Sequence, residues 1–279
     1  MSLLGSAFGR LERVVHMHGR RFGYATILFA IVFLWTPIFV LVIMSFAKHE
    51  VLTFPPQSFT TDWYVVFLNN DQAISSVLTS LKVSLVATPI AVVLALLISY
   101  SVDRYDFVGN NTLQLLATLP IVVPLVVVGV ALAIFLGIVN FPSGYWSVVI
   151  AHVIRILPFA TLIILPTFVA FDYRLEEASK DLGADELQTF VRITLPNIFP
   201  GIVAGGLLAF TISFNEFVYT YFVKDTVTNT LPTYLWDELR QHATPEVNVI
   251  SVVFIIVAVT IVLLAVTLTH VERIATYEE

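Results

Sequence analysis

Long uninterrupted apolar stretches are the feature that most constrains this chain. A membrane-spanning helix needs about 20 mostly apolar residues to cross a hydrocarbon core of roughly 30 Å. The stretches that meet this requirement predict spans over approximately Tyr24–Phe46, Val83–Val102, Leu113–Val139, Tyr145–Phe171, Ile198–Phe222 and Val249–His270. The first stretch carries no charge and is too long for the apolar region of a signal peptide, so we interpret it as a retained span.

Composition supports this interpretation. Hydrophobic residues make up 58% of the 279 and charged residues 12%, whereas a soluble domain has about 25% charged residues. So few charges exclude a soluble enzyme and a disordered or fibrous protein. A membrane β-barrel would show alternation over roughly ten-residue segments instead of continuous runs. We therefore predict an all-α, polytopic integral membrane protein with six transmembrane helices in the lipid bilayer.

Net charge and cysteine content exclude further classes of site. The formal charge of −6 argues against a nucleic-acid partner, because such proteins usually carry a basic footprint. The chain has no cysteine, which excludes disulfides, thiol nucleophiles and cysteine-ligated metals.

The distribution of Lys and Arg predicts the orientation, because cytoplasmic loops are enriched in these residues. With the N-terminus inside, the inner segments hold Arg10, Arg13, Arg20, Arg21, Arg104, Arg174, Lys180, Arg192 and Arg273, whereas the outer segments hold Lys48, Lys82, Lys224 and Arg240. Arg155 lies inside a span. We predict a cytoplasmic N-terminal segment over 1–23, a transmembrane domain over 24–271 and a cytoplasmic tail over 272–279.

The predicted outer loop before the second span contains a candidate interfacial helix. Phe54-Pro55-Pro56 breaks regular structure, and the aromatic-rich segment Asp62–Leu68 that follows suits a helix lying at the membrane surface.

A regular inner segment, Asp172–Asn197, separates the fourth and fifth predicted spans. Leu175, Ala178 and Leu182 share one helical face, and Gly183 should end that helix because glycine tolerates a left-handed cap. A second amphipathic turn follows, with Leu187, Phe190, Val191 and Leu195 as its apolar residues, before Pro196 and Pro200. Apolar side chains exposed on such a segment suit the docking of a soluble partner protein. Periodicity alone leaves open a solvated loop with an interfacial helix.

The residue pattern of this segment resembles the EAA loop of ABC importer permeases. That pattern is Glu-Ala-Ala, three residues, Gly, nine residues, then Ile-x-Leu-Pro. The matching positions are Glu177, Ala178, Ser179 in place of the second alanine, Gly183, Ile193, Leu195 and Pro196. The resemblance implies the type I permease fold, with residues 172–197, called the coupling loop below, docking to an ATPase.

The resemblance also implies that transport and ATP hydrolysis are carried out by different subunits. The sequence contains no G-x-x-x-x-G-K-[ST] phosphate-binding loop, so we expect no ATP chemistry, catalytic residue, cofactor or metal in this chain. A separate cytoplasmic ATPase dimer would hold ATP and Mg²⁺, with Glu177 anchoring the contact to a basic group. The other implied partners are a second, similar permease subunit and an extracytoplasmic substrate-binding protein. The implied location is the plasma (inner) membrane of a bacterium or archaeon.

Further segments resemble the permeases of spermidine/putrescine-type importers. They are Phe59–Tyr64, Pro120 and Pro124 in the third span, His152 with Leu157-Pro158-Phe159 in the fourth, and Pro245–Asn248 before the sixth. We expect Pro120, Pro124, Pro158 and Pro166 to kink their spans and Gly205-Gly206 to permit close helix packing.

Polar residues within spans are the candidate substrate-path residues, because ionisable groups there usually face a bundle interior or a cavity. They are His152, Arg155, Ser213, Asn215, Glu216 and Tyr219. Arg155 and Glu216 lie at similar predicted depth, so two readings stay open: a structural ion pair, or side chains that line the path. For His152 we favour a buried, hydrogen-bonded role over proton carriage.

The substrate choice also has an alternative. Glu216, Tyr219 and Tyr221 offer anionic and aromatic partners for a polyamine. Similar permeases commonly carry an acid after the second proline of the third span, where this chain has Leu125, and Arg155 would repel a cation unless it is neutralised. An importer of another small solute, amino acid-like or anionic, is therefore the alternative.

Two other classes are less well supported. An ion-coupled secondary transporter could use an Arg–Glu–His set, but the two halves of the chain show no convincing repeat. An intramembrane protease using Ser213 and His152 would rest on residue identity alone, because no Gly-x-Ser-x-Gly elbow is present.

Overall fold

The structure is a computed structural model that describes residues 2–48, 53–241 and 245–275, with side chains over 22–48, 53–241 and 245–263. Its regular structure over these residues is helical, without a β-strand. The helices are α1 Ser2–Met44, α2 Asp62–Leu68, α3 Asp71–Arg104, α4 Asn110–Val122, α5 Leu125–Ile138, α6 Tyr145–Val169, α7 Arg174–Asp181, α8 Glu186–Thr189, a π segment Phe190–Thr194, α9 Leu195–Phe214, α10 Val218–Val223, α11 Leu231–Gln241 and α12 Pro245–Ala275. The all-α membrane class is confirmed.

Five helical segments in the described ranges are long and apolar enough to cross a membrane, and a sixth span results if α4 and α5 count as one. The single span predicted over Leu113–Val139 is instead these two helices, bent by 110°. The bend falls at Val123–Pro124, where Val123 is extended at φ −76° and ψ 135°. The proline ring disfavours helical geometry in the preceding residue, which explains the break. Pro158 and Pro166, by contrast, lie inside the unbroken α6.

The fifth predicted span, Ile198–Phe222, is also interrupted. α9 ends at Phe214, and α10 begins at Val218 after three non-helical residues that include Asn215 and Glu216. Non-helical backbone at membrane depth is tolerated where protein encloses it. Here, a side chain of the break bonds to backbone freed by it: Glu216 Oε1 accepts from the Tyr219 N–H in the first turn of α10.

The core is built from α3, α6 and α9, which pack most extensively on one another. Apart from Val83, the buried residues of α3 are small and lie mostly at four-residue spacing: Ala73, Ser76, Ser80, Ser84, Ala87, Ala91, Ala95 and Ser99. Small side chains let backbones approach closely in a membrane. The expected close packing is confirmed at Gly205, where a Cβ would lie 3.0 Å from Ile164 of α6, but not at Gly206, where a Cβ would meet Val92 at an ordinary 3.5 Å. The approach at Gly201 is closer still.

A second cluster joins α2, α11 and α12 through Phe67, Tyr234 and Val249. The helix predicted over Asp62–Leu68 is present with those bounds as α2. Trp63 Nε1 donates to the Ala47 carbonyl at 3.1 Å and fixes α2 against the residues that follow α1.

The two terminal helices extend past the boundaries predicted for the transmembrane domain. α1 is helical from Ser2, through the predicted N-terminal segment, and α12 continues to Ala275. Residue 1 and residues 276–279 of the predicted tails lie outside the described residues. The span Phe22–Met44 of α1 is largely exposed in the isolated subunit, and α1 packs against α12.

Candidate functional site

The first helix of the coupling loop, α7, ends just before Gly183, as the sequence predicted. Gly183 has φ +88°. Its N–H donates to the Lys180 carbonyl at 2.9 Å, and the Ala184 N–H donates to the Ser179 carbonyl at 3.1 Å. These two bonds form a Schellman cap, which satisfies carbonyls left free at the helix end.

The second half of the coupling loop continues without a break into the long helix α9. Asp185 caps α8 by accepting from the Gln188 N–H at 2.7 Å. The π segment follows, and α9 continues from it with Pro196 in its first turn. Ile193 packs against the core. A π insertion of this kind often marks a functional site.

Together, the two halves present an apolar surface to solvent. Leu182 is 90% exposed and Leu187 72% exposed. Between the halves lies a groove of about 320 Å³. Its lining residues are Leu175, Ala178, Ser179, Leu182, Ala184, Gln188, Arg192 and Ile193. Large apolar side chains held in water are typical of a surface that another protein covers.

The two adjacent glutamates of α7 have opposite environments. Glu177, which matches the motif, is exposed. Glu176 is buried, and one of its oxygens accepts hydrogen bonds from Arg104 at the end of α3 and from Thr194 of the π segment. Sequence reasoning missed this three-way contact. The available signal was that Arg104 directly follows an apolar span and that two glutamates stand side by side on a one-sided helix.

A second contact joins the same two elements. The Tyr173 hydroxyl donates to Asp103, and Arg104 Cζ lies 4.2 Å from the centroid of the Tyr173 ring. Burial, followed by the hydrogen bond to Asp103, raises the pKa of Tyr173 to about 12. The phenol therefore keeps its proton and remains a donor at physiological pH.

The candidate substrate-path residues form a second group, the membrane cluster: His152, Arg155, Ser213, Asn215, Glu216 and Tyr219. His152 is buried, with Nδ1 2.8 Å from Ser213 Oγ and Nε2 2.8 Å from Thr220 Oγ1. This arrangement is the hydrogen-bonded environment favoured from the sequence, and it links α6 to α9 and α10.

Arg155 and Glu216 lie together. Arg155 Nε is 3.5 Å from Glu216 Oε2, with the side chains 17% and 5% exposed. Arg155 Cζ also lies 4.9 Å from the centroid of the Phe159 ring, and Glu216 Oε1 accepts from the Tyr219 N–H. Glu216 thus balances a charge and holds the start of α10.

The other two members of the membrane cluster differ in accessibility. Tyr219 is fully buried. Asn215 is exposed and borders an apolar groove of about 320 Å³. The groove is otherwise lined by Phe217, Pro232, Leu235, Trp236, Leu239 and Phe254. In this conformation, the open surface beside the cluster is therefore provided by α11 and α12, while His152, Ser213, Glu216 and Tyr219 lie inside the subunit. Contact of these residues with substrate stays a prediction.

Comparison with known proteins identifies the family. Residues 87–274 match the binding-protein-dependent transport system inner membrane components, and this range contains both the coupling loop and the membrane cluster. The chain belongs to this family. It is a permease subunit, multi-pass in the inner membrane, of an ABC importer.

Two similar permeases have names that include a substrate. This permease is 32% identical over 233 residues to the spermidine/putrescine transport system permease protein PotC of Haemophilus influenzae, covering 84% of this chain and 90% of that protein. It is also 32% identical over 232 residues to the putrescine transport system permease protein PotI of Escherichia coli, covering 81% and 82% of the two chains.

A solved structure shares the fold of this permease. The bacterial alginate ABC transporter in complex with an alginate pentasaccharide-bound periplasmic protein contains a chain with a TM-score of 0.69 to this one. The match covers 92% of this permease and 95% of that chain at 19% identity. It confirms the expected ABC permease fold.

Proposed function

We propose that this permease forms half of the translocation path of an ATP-driven polyamine importer. The observation that carries the substrate class is the similarity to two permeases named for spermidine or putrescine, at 32% identity over more than four-fifths of each chain. The expected second permease subunit supplies the other half of the path.

A separate ATPase dimer on the cytoplasmic side hydrolyses ATP and holds Mg²⁺. The exposed Leu182 and Leu187 and the groove between the halves of the coupling loop support this docking site. The side chain of Glu177 is exposed, so it can pair with a basic group of the ATPase at the rim of the contact. The excess of Lys and Arg in the predicted inner segments supports cytoplasmic termini.

An extracytoplasmic binding protein delivers the substrate on the opposite side. The family description names such a protein, and the structurally similar alginate transporter was solved with a periplasmic protein.

Chemistry on the outer side suits an amine cargo, which is cationic at neutral pH. Trp236 of α11 is exposed, and Arg240 Cζ already lies 5.9 Å from the centroid of its ring. The ring face attracts cations, and a polyamine ammonium would compete with Arg240 for it. The Arg155 charge, which would otherwise repel a polyamine, is balanced by Glu216.

The test is uptake and ATPase stimulation in proteoliposomes that contain the permease pair, the ATPase and the loaded binding protein. The solute panel contains putrescine, spermidine, neutral amino acids and sulfate, and Mg-ATP is omitted in a parallel control. We expect both polyamines to stimulate hydrolysis and accumulate. Stimulation by another solute and by neither polyamine would overturn the substrate assignment. Uptake driven by an ion gradient without ATP would overturn the importer mechanism.

A further inference from the structure

Helix α3 is tied at both of its ends to the elements that a transport cycle must connect. Its 34 residues correspond to about 50 Å of helix at a rise of roughly 1.5 Å per residue. One end meets the coupling loop, and the other end meets α11. Such a helix, packed along its length on α6 and α9, is a continuous physical connection between the two sides.

At the coupling-loop end, the last two residues of α3 hold the first turn of α7. Asp103 accepts from the Tyr173 hydroxyl, and Arg104 forms an ion pair with Glu176. The same Glu176 oxygen accepts from Thr194 in the π segment, so one carboxylate joins α3, α7 and the start of α9. Bonds that involve a charged partner are roughly twice as strong as neutral ones.

At the opposite end, side-chain bonds join α3 to α11 and α12. Ser80 Oγ accepts from the N–H of Leu231, the first residue of α11, at 2.7 Å. Asn70, which caps α3, donates from Nδ2 to the Tyr234 hydroxyl at 2.9 Å and to Glu246 Oε1 at 3.2 Å. Ser80 therefore satisfies one of the free N–H groups in the first turn of α11, which links that turn directly to α3.

We propose that Arg104 and Glu176 are positioning residues through which the coupling helix α7 moves α3, and that α3 carries this movement to α11 on the outer side. The proposal rests on the proposed function, because it takes α7 as the element that the ATPase displaces. It assigns α11, which borders the groove beside Asn215, as the outer element that responds to ATP.

The experiment uses the absence of native cysteine to place one reporter. Leu239→Cys on α11, at a half-exposed position, carries an environment-sensitive fluorophore in the reconstituted complex with its ATPase. Emission is recorded before and after Mg-ATP in four backgrounds: the otherwise unchanged chain, Arg104→Met, the charge exchange Arg104→Glu with Glu176→Arg, and the control Glu186→Gln. The control breaks only an exposed pair on the same loop, in which Lys180 Nζ lies 3.9 Å from Glu186 Oε1.

We expect the ATP-dependent emission change to fall roughly tenfold in Arg104→Met, to return in the charge exchange and to persist in Glu186→Gln. Persistence in Arg104→Met, or loss in the charge exchange while the complex stays assembled, would overturn the proposal. If Arg104→Met fails to assemble, Ser80→Ala decides. It removes one of the two side-chain bonds from α3 to α11 and should reduce the change severalfold while ATPase binding stays intact, and an unchanged response would overturn the proposal.

Failure of the proposed function has a different signature. Absence of any ATP-dependent change in the unchanged chain, with no ATPase binding, would contradict the docking assignment itself. An emission change that is present without stimulation by either polyamine would contradict the substrate class and leave the α3 connection supported.

Discussion

Arg155 Nε lies 3.5 Å from Glu216 Oε2, so an ion pair joins α6 to the break between α9 and α10. Both charges are largely removed from solvent, and each makes the other tolerable there. We expect Arg155→Met or Glu216→Gln alone to lower the free energy of unfolding by about 3 kcal/mol, since each leaves an unpaired buried charge. Thermal unfolding in detergent measures the loss.

The double variant Arg155→Met with Glu216→Gln distinguishes two roles for these residues: a structural ion pair, or side chains that contact the substrate independently. If pairing is their main role, the double variant recovers most of the lost stability and retains uptake. Full stability together with lost uptake would instead assign these side chains to the substrate.

Replacing His152 tests its position between two hydroxyls. His152→Leu leaves Ser213 and Thr220 without this partner and should destabilise the permease by about 2 kcal/mol. His152→Gln retains hydrogen-bonding capacity and should lose less. A proton-carrying role would be indicated by the opposite result, in which His152→Gln is stable but inactive in uptake.

Reversing the charge of Glu177 tests the ATPase contact. Glu177 is exposed, so Glu177→Lys should leave the permease folded and in the membrane. A lysine facing a basic group should cut uptake per ATP hydrolysed by at least roughly tenfold. Asp106→Lys, at an exposed acid between α3 and α4, is the matched control. Normal coupling in Glu177→Lys would contradict the assigned contact.

The cap at Gly183 can be altered without a clash, because nothing lies within 4 Å of a Cβ placed there. Its φ of +88° is unfavourable for alanine by about 1 kcal/mol, so the free Gly183→Ala loop should relax away from the cap. Binding must then restore the cap conformation, which predicts a roughly fivefold weaker ATPase affinity. Gly137→Ala also meets nothing within 4 Å, but its φ is not positive, so binding should not change. Equal effects in the two variants would exclude backbone strain as the cause.

Substitution of Gly201 tests how closely α9 packs against α6. A Cβ there would lie 2.1 Å from Thr167 Cγ2, so Gly201→Ala should cost about 1 to 3 kcal/mol through overpacking. Gly206→Ala on the same helix meets Val92 at an ordinary 3.5 Å and should be neutral or stabilising. Unfolding midpoints in one detergent compare the two variants directly.

Apolar length and glycine position were sufficient to predict much of the fold. The spans at Tyr145–Val169 and Pro245–Leu263, the small helix Asp62–Leu68 and the end of α7 at Gly183 all follow from local pattern. These features depend on neighbouring residues, whose spacing is visible in the sequence.

The breaks and cross-chain contacts were harder to predict. Hydropathy averages over a window, so it does not detect that Pro124 divides one apolar run by a 110° bend or that α9 stops at Phe214. The contact of Arg104 with Glu176 joins residues 72 positions apart, and its formation depends on how α3 packs against the coupling loop. The row of small residues on α3 was visible in the sequence, but its partner helices were not.

The packing of α1 against α12 has a consequence for biogenesis. A chain is synthesised from its N-terminus, so the first span enters the bilayer long before the last one exists. During that interval, the apolar face of α1 contacts lipid, which hydrocarbon side chains such as those of Ile31 and Phe39 tolerate. Insertion of α12 is then the event that brings the two ends of the chain together, and a ribosome that terminates before Pro245 leaves α1 without this neighbour.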